Sequence, residues 1–276
     1  MLVNRKEFLN SLKTALSILN YRHYNPPKLK NNLSDYLLLV PNEPFLSVIA
    51  TNNYVLYYSN IPATGEKTLF NPIIMYAYQA REIIDSLKTS KSKVINVYEN
   101  KLNEDLLINN GSIGIPNIKY DYPHYNDLFL VPIEKVFRVE TQEIKDRIKL
   151  LGDLRRNAIK SKVDYYNRYE NLRFKLNSQE NILYISIDGI DEEYTVIPAI
   201  GTNKDNMLND NIILTFDFFN DIIKNIKTKE VVFCLSESKD LVSIIPVSKS
   251  KLYLIKNETF FIMQRKKVWM LSKKIC

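Results

Sequence analysis

One short amphipathic phrase is written four times along this chain. EFLNSLKT occupies residues 7–14, EIIDSLKT 82–89, EIKDRIKL 143–150 and DIIKNIKT 221–228. Apolar residues recur at helical spacing in each copy. They are Phe8, Leu9, Leu12 and Leu16 in the first, and Ala80, Ile83, Ile84 and Leu87 in the second. The third has Ile144, Ile148 and Leu151, and the fourth Phe218, Phe219, Ile222, Ile223 and Ile226. A 3.6-residue period with one apolar stripe predicts four helices, each laid on a core. Asn4 with Glu7 reads as a capping box, and Thr141 and Asp217 are in position to cap the third and fourth helices.

The repeat extends beyond the helices. LSVIATNNYVLYYSNIPA at 46–63 is matched by ILYISIDGIDEEYTVIPA at 182–199, and both end in Ile-Pro-Ala. These segments lie 136 residues apart, as do Glu7 and Glu143, while Ile83 and Ile222 lie 139 apart. Two separate matches at one ungapped offset point to a duplication of about 136–139 residues. The second and fourth helices are followed by SKVINVYENKLNEDLLINNGSIGI and KEVVFCLSESKDLVSIIPVSKSKLYLI, rich in β-formers and broken by polar turns. Short strands are expected before the helices at KTLFNP (67–72), VFRV (136–139) and NIILTF (211–216). The unit reads β-α-β-β-β, four times over. The expected architecture is α+β: two similar domains, 1–130 and 131–276, with the joint near 119–135 and the helices on one face of the sheets. A long period with two copies is not a solenoid.

The outward faces of the four helices read as basic. The first shows Arg5, Lys6 and Lys13, the second Arg81 and Lys88, the third Lys145, Arg147 and Lys149, and the fourth Lys224 with Lys227. Net charge over the 276 residues is +7. Five of those charges fall in a tail after Gln264, at Arg265, Lys266, Lys267, Lys273 and Lys274. An excess of this size permits nucleic-acid binding.

Little points to catalysis. The only histidines, His23 and His124, lie in dissimilar loops, and with six glycines there is no phosphate-binding GxGxxG or GxxxxGK[ST] pattern. DGIDEE (188–193) clusters carboxylates, but its duplicate is TNNYVL, so it reads as a polar hairpin rather than a metal site. No metal or cofactor site is expected. The tyrosines of DYYNRYEN (164–171) are either strand and hairpin residues or a base-stacking surface, and LRRNAIKSK (154–162) is the densest interior basic run. Cys234 and Cys276 make no disulfide framework. The opening MLVNRKEFLN lacks the apolar stretch of a signal peptide, and no run of about 18 apolar residues suggests a membrane span. A reducing cytoplasm is the expected setting.

These residues resemble the DNA sliding clamps, and the bacterial β clamp more closely than proliferating cell nuclear antigen. RKEFLNSLKTALSIL is similar to the first clamp helix, and LSVIATNNYVLYYSNIPA to the clamp segment built around Ala-Thr-Asp. IKYDYPHYNDLF (118–129) is similar to the interdomain linker, and ILTFDFFNDIIKNIKTKEVVFCL (213–235) to the last helix and strand. The resemblance implies domains of two βαβββ units each, joined edge to edge into a ring of six, with helices lining the hole. The basic helix residues named above would then face duplex DNA without reading its sequence. Bacterial clamps usually carry three domains and pair as dimers. A two-domain chain would instead close as a head-to-tail homotrimer.

The resemblance also implies a pocket for short peptides of a DNA polymerase and a clamp loader. Carried across by position, it comprises Thr51, Asn53, Leu56, Pro123, Leu128, Tyr253 and Ile255, with FFIM (260–263) competing with KLYLIK (251–256) for the closing strand. The tail from residue 264 runs past the expected clamp end, and Trp269 within it reads as a packed residue. A clamp-fold module that stays monomeric and binds partners is the other reading. A single-strand binder using Tyr165 and Tyr169 is a third.

Overall fold

The structure, a computed structural model, describes residues 1–19, 36–52, 54–65, 71–100, 105–116, 118, 122, 125–161, 171–177, 180–187, 194–201, 212–236, 241–247 and 258–263. The chain divides into two units near residue 124, with Glu258 and Thr259 belonging to the first.

The first unit runs β1 (Leu2–Asn4), α1 (Arg5–Leu19), β2 (Tyr36–Asn42), β3 (Phe45–Thr51), β4 (Val55–Thr64), β5 (Ile73–Tyr76), α2 (Ala77–Lys88), β6 (Val94–Glu99), β7 (Leu106–Ile108) and β8 (Ile113–Ile115). Its strands pair antiparallel in the order β5-β2-β3-β4-β1-β6-β7-β8. The second unit runs β9 (Ile133–Glu140), α3 (Thr141–Ser161), β10 (Asn171–Asn177), β11 (Ile182–Ile187), β12 (Tyr194–Gly201), β13 (Ile212–Thr215), α4 (Phe216–Asn225), β14 (Glu230–Ser236), β15 (Leu241–Val247) and, from Phe260 on, β16 (Glu258–Met263). Its order is β13-β10-β11-β12-β9-β14-β15-β16, again antiparallel throughout. Element for element, the two orders are the same.

The duplication holds at the level of single pairings. Val3 stands opposite Ala63 and, 136 residues on, Val139 stands opposite Ala199. The repeated Ile-Pro-Ala therefore closes the same ladder twice. The Arg5 amide donates to the Lys93 carbonyl (2.9 Å), and the Thr141 amide to that of Lys229 (2.8 Å), again 136 residues apart at both ends. A strand before α2 lies at Ile73–Tyr76, whose buried apolar residues pair with β2. Of the expected KTLFNP strand (67–72) only residues 71 and 72 are described, and they lie just before it. Residues 66–70 lie outside the described set.

The helices bury the stripe their spacing dictates. Phe8, Leu12 and Ala15 of α1 are fully buried, as are Ala80, Ile83 and Leu87 of α2 and Phe219 and Ile222 of α4. Each large apolar side chain so placed contributes roughly 1.5–3 kcal/mol. Tyr57 of β4 is fully buried and donates its hydroxyl hydrogen bond to a Glu258 carboxylate oxygen at 3.0 Å. Burial, reinforced by that carboxylate, raises its pKa well above the usual tyrosine range.

Caps follow the expectation once and depart from it twice. Asn4 Oδ1 accepts from the amides of Lys6 (2.9 Å) and Glu7 (3.2 Å), holding the start of α1. Thr141 is instead the first residue of α3, and its buried hydroxyl has no hydrogen-bond partner among the described residues. Asp217 lies inside the first turn of α4, where Arg155 takes its carboxylate. The N-cap there is Thr215, without a side-chain bond.

Four phenylalanines form the centre of the second unit. Phe137 and Phe233 stack at 4.8 Å, Phe174 meets Phe219 edge-on at 4.9 Å, and Phe219 lies 5.9 Å from Phe233. They come from β9, β14, β10 and α4, so one cluster joins both halves of the unit. Phe219→Ala is expected to destabilise this unit by about 3–5 kcal/mol. The change is read as a lower urea midpoint at unchanged m value. A loss below about 1 kcal/mol would show that the rings do not act as one core.

Candidate nucleic-acid interface

In each unit, two helices pack against one another and expose a polar face. The predicted basic residues differ in exposure and in what they touch. Lys6 and Lys13 of α1, Arg81 and Lys88 of α2, Lys149 of α3 and Lys224 of α4 are exposed. Lys227 is exposed too, but stands just past the end of α4. Arg147 is half-buried.

Arg5 and Lys145 have another duty. Arg5 Nη1 donates to the Leu87 carbonyl at 2.8 Å, and Lys145 Nζ to the Ile226 carbonyl at 2.6 Å. Leu87 and Ile226 are equivalent under the 139-residue offset. Each unit thus brings a cation from its first helix onto the C-terminal carbonyls of its second. The C-terminal end of a helix is the negative pole of its dipole, and the Leu87 carbonyl also accepts from the Ser90 amide at 3.3 Å. The positions that reach them differ, for Thr141 stands at the equivalent of Arg5 and Leu9 at that of Lys145. The same interaction has therefore been built twice from different residues.

Charge is also less even than the number of lysines suggests. Over their own lengths α1 carries +2 and α3 +3, but Glu82 and Asp85 bring α2 to zero, and Asp217 with Asp221 brings α4 to −1. Lys88 pairs with Asp85 at 2.7 Å in an exposed ion pair worth little. The positions that keep a lysine in both units are Lys13 with Lys149, 136 apart, and Lys88 with Lys227, 139 apart.

The far end of the second helix pair is clamped differently. Arg155 forms a two-pronged pair with Asp217 (2.7 and 3.2 Å), and its guanidinium lies 4.9 Å from the centre of the Phe216 ring. A Cβ on Gly152 would stand 3.2 Å from the Phe216 ring edge, so glycine there lets α4 approach. Of the basic run at 154–162, Arg156 pairs with the neighbouring Asp153, and Asn157 and Lys160 are exposed.

The predicted peptide-pocket residues are only partly covered. Asn53, Pro123, Tyr253 and Ile255 lie outside the described residues, as do the carboxylates of 188–193, Tyr165, Tyr169 and the tail from 264. Thr51 and Leu56 face one another across the β3–β4 hairpin, and both are buried. Thr51 Oγ1 donates to the Val55 carbonyl at 3.0 Å, so its hydroxyl serves the turn. Leu128 is half-buried in a 3-10 turn, Asn126–Phe129, which Phe129 anchors edge-on to Phe261 of β16 at 5.0 Å. FFIM is thus strand β16, with Phe260, Phe261 and Ile262 buried. Among the described residues no group of His, Cys, Asp and Glu could hold a metal ion, and no helix is long and apolar enough to cross a membrane. Sequence reading passed over Tyr78, exposed on α2 and stacked on Tyr76. The signal was an aromatic residue on the polar side of a helical repeat.

No protein-family model matches the sequence, and no curated protein sequence shows significant similarity to it. Solved structures do match. A DNA polymerase sliding clamp from Pseudomonas aeruginosa superposes with a TM-score of 0.71 at 12% identity, over 96% of this chain and 65% of its own. The DNA polymerase III beta subunit of Thermotoga maritima gives 0.72 at 13% over 96% and 64%, and the sliding clamp of Caulobacter crescentus 0.69 at 9% over the same shares. This chain spans just under two thirds of the length of those proteins, and its fold is the sliding-clamp fold.

Two neighbouring arginines of α3 give opposite expectations. Arg155→Met strands a half-buried carboxylate and should destabilise the second unit by about 1–3 kcal/mol. Arg156→Ala, on an exposed pair, should change it by no more than about 0.5 kcal/mol. Equal losses in chemical denaturation would refute the clamp between α3 and α4.

Proposed function

We propose that this protein is a non-enzymatic sliding clamp that encircles duplex DNA and tethers a DNA polymerase during replication in the cytoplasm. The observation that carries this is the double repetition of one helix-and-sheet unit in the sliding-clamp fold, with exposed lysines at matched positions, Lys13 with Lys149 and Lys88 with Lys227. Lysines repeated by the fold's own symmetry present charge at regular intervals. Regular charge suits a partner that repeats itself, such as the phosphate backbone. The ring is a homotrimer of two-unit chains, which supplies six units and twelve helices. Arg5 and Lys145 shape the helix pairs, and Lys6, Lys13, Arg81, Lys88, Arg147, Lys149, Lys224 and Lys227 face the DNA. Polymerase and clamp loader dock through short peptides near Thr51, Asn53, Leu56, Pro123 and Leu128, with Tyr253 and Ile255 closing the pocket.

A second reading draws on the charge of α2 and α4. Helices that carry no positive excess give little attraction to phosphate. A monomer of the same fold that binds protein partners without encircling DNA fits that observation.

Light scattering on a sizing column decides between them. Three chains of 32.3 kDa make a species near 97 kDa, expected across a concentration series. A strict monomer at high concentration overturns the ring and leaves the partner-binding module. Lys13→Glu with Lys149→Glu should in addition weaken duplex binding and lower the salt slope by about one for each phosphate no longer neutralised. An unchanged slope would remove these lysines from the DNA face.

A further inference from the structure

Three tyrosines form a short ladder at the start of α2. Tyr36 of β2 stands opposite Tyr76 of β5, with ring centres 5.0 Å apart. Tyr78, in the first turn of α2, stacks on Tyr76 at 5.4 Å with the planes 19° apart. The turn beneath them is held firmly. The Tyr76 amide donates to Gln79 Oε1 at 2.7 Å, and Gln79 is buried. Tyr78 ends the ladder and is 53% exposed, on the polar face of the helix that also carries Arg81.

The second unit has no counterpart of these rings. Under the 139-residue offset Tyr76 and Tyr78 correspond to Thr215 and Asp217, and the residue opposite Thr215 is Asn171. The second unit builds the same strand pair and the same helix start without one aromatic side chain at these places, and its equivalent of Tyr78 is tied down by Arg155. The ladder belongs to the first unit alone. Its last ring, Tyr78, sits on a helix of zero net charge, so what α2 offers a nucleic acid is not chiefly electrostatic.

We infer that Tyr78, backed by Tyr76 and Tyr36, is a stacking platform for an unpaired base of DNA at a junction between duplex and single strand. This rests on the reading of DNA as the partner. Every base has an aromatic face, so stacking on a fixed ring tolerates any sequence and leaves sliding intact. Aromatic pairs favour the offset stacking already present between Tyr76 and Tyr78, and a base would extend that stack. Arg81, one turn along, supplies a cation for the adjoining phosphate. Glu82 and Asp85 on the same face oppose a continuous track of phosphates. The site therefore suits one or two bases rather than a long single strand.

The test uses the full chain and two labelled DNAs in fluorescence anisotropy at several salt concentrations. One is a blunt duplex, and the other is the same duplex with a ten-nucleotide thymidine overhang. Wild-type protein is expected to prefer the overhang. Tyr78→Ala should lose roughly ten-fold in affinity for it while keeping blunt-duplex affinity and salt slope, and Tyr78→Trp should keep the preference. A wild type that binds both DNAs equally, or a Tyr78→Ala protein that keeps the preference, overturns the platform and leaves the clamp reading standing. Failure of wild type to bind either DNA overturns both.

Discussion

A three-residue strand cannot hold a sheet together unless both of its edges are paired, and β1 is such a strand. It pairs with β4 of its own half on one side and with β6 of the other half on the opposite side. β9 does the same between β12 and β14. Each therefore splices two β-α-β-β-β halves into one sheet through backbone hydrogen bonds. The helix that follows begins one residue later, so the same splice sets where α1 and α3 start. The residues that each helix turns toward its neighbour or toward solvent depend on that placement.

Helix pairing then fixes which cations remain exposed. A helix C-terminus presents carbonyls with no partner in the helix, and a cation brought to them gains both a hydrogen bond and the dipole interaction. Arg5 and Lys145 take that role from different positions of the repeat. The two units converge on the interaction rather than on the residue. The lysines that recur at equivalent positions stay on the surface, and they define the candidate DNA face more narrowly than the full set of basic residues does.

The units also diverge, and the divergences separate what folds the chain from what it can use. The second unit closes the start of α4 with an arginine–aspartate pair over a phenylalanine ring. The first leaves an aromatic ladder there, with its last ring half in solvent. The second unit shows that this strand pair and helix start can be built without the aromatic ladder. That comparison is available within one chain.

Most of the architecture was legible in the amino-acid order. The four amphipathic stripes, the Ile-Pro-Ala echo and the constant offset together dictate four helices, a duplication and its α+β class, because periodicity is local and repeats are countable. Asn4 as a cap was equally local. Other features depended on which groups meet across the fold. The strand Ile73–Tyr76 is defined by its pairing with β2, a partner more than thirty residues earlier in the chain. Asp217 looks like a cap until Arg155, 62 residues earlier, is brought to it. Arg5 and Lys145 look like their exposed neighbours until Leu87 and Ile226 are placed within reach. The sequence by itself determined the repeat, which is a match within the residue order, and the buried stripes, which depend on neighbours three or four residues away. The tertiary structure alone decided which polar groups are engaged, since hydrogen bonds and ion pairs are made by atoms within about 3 Å wherever they stand in the chain.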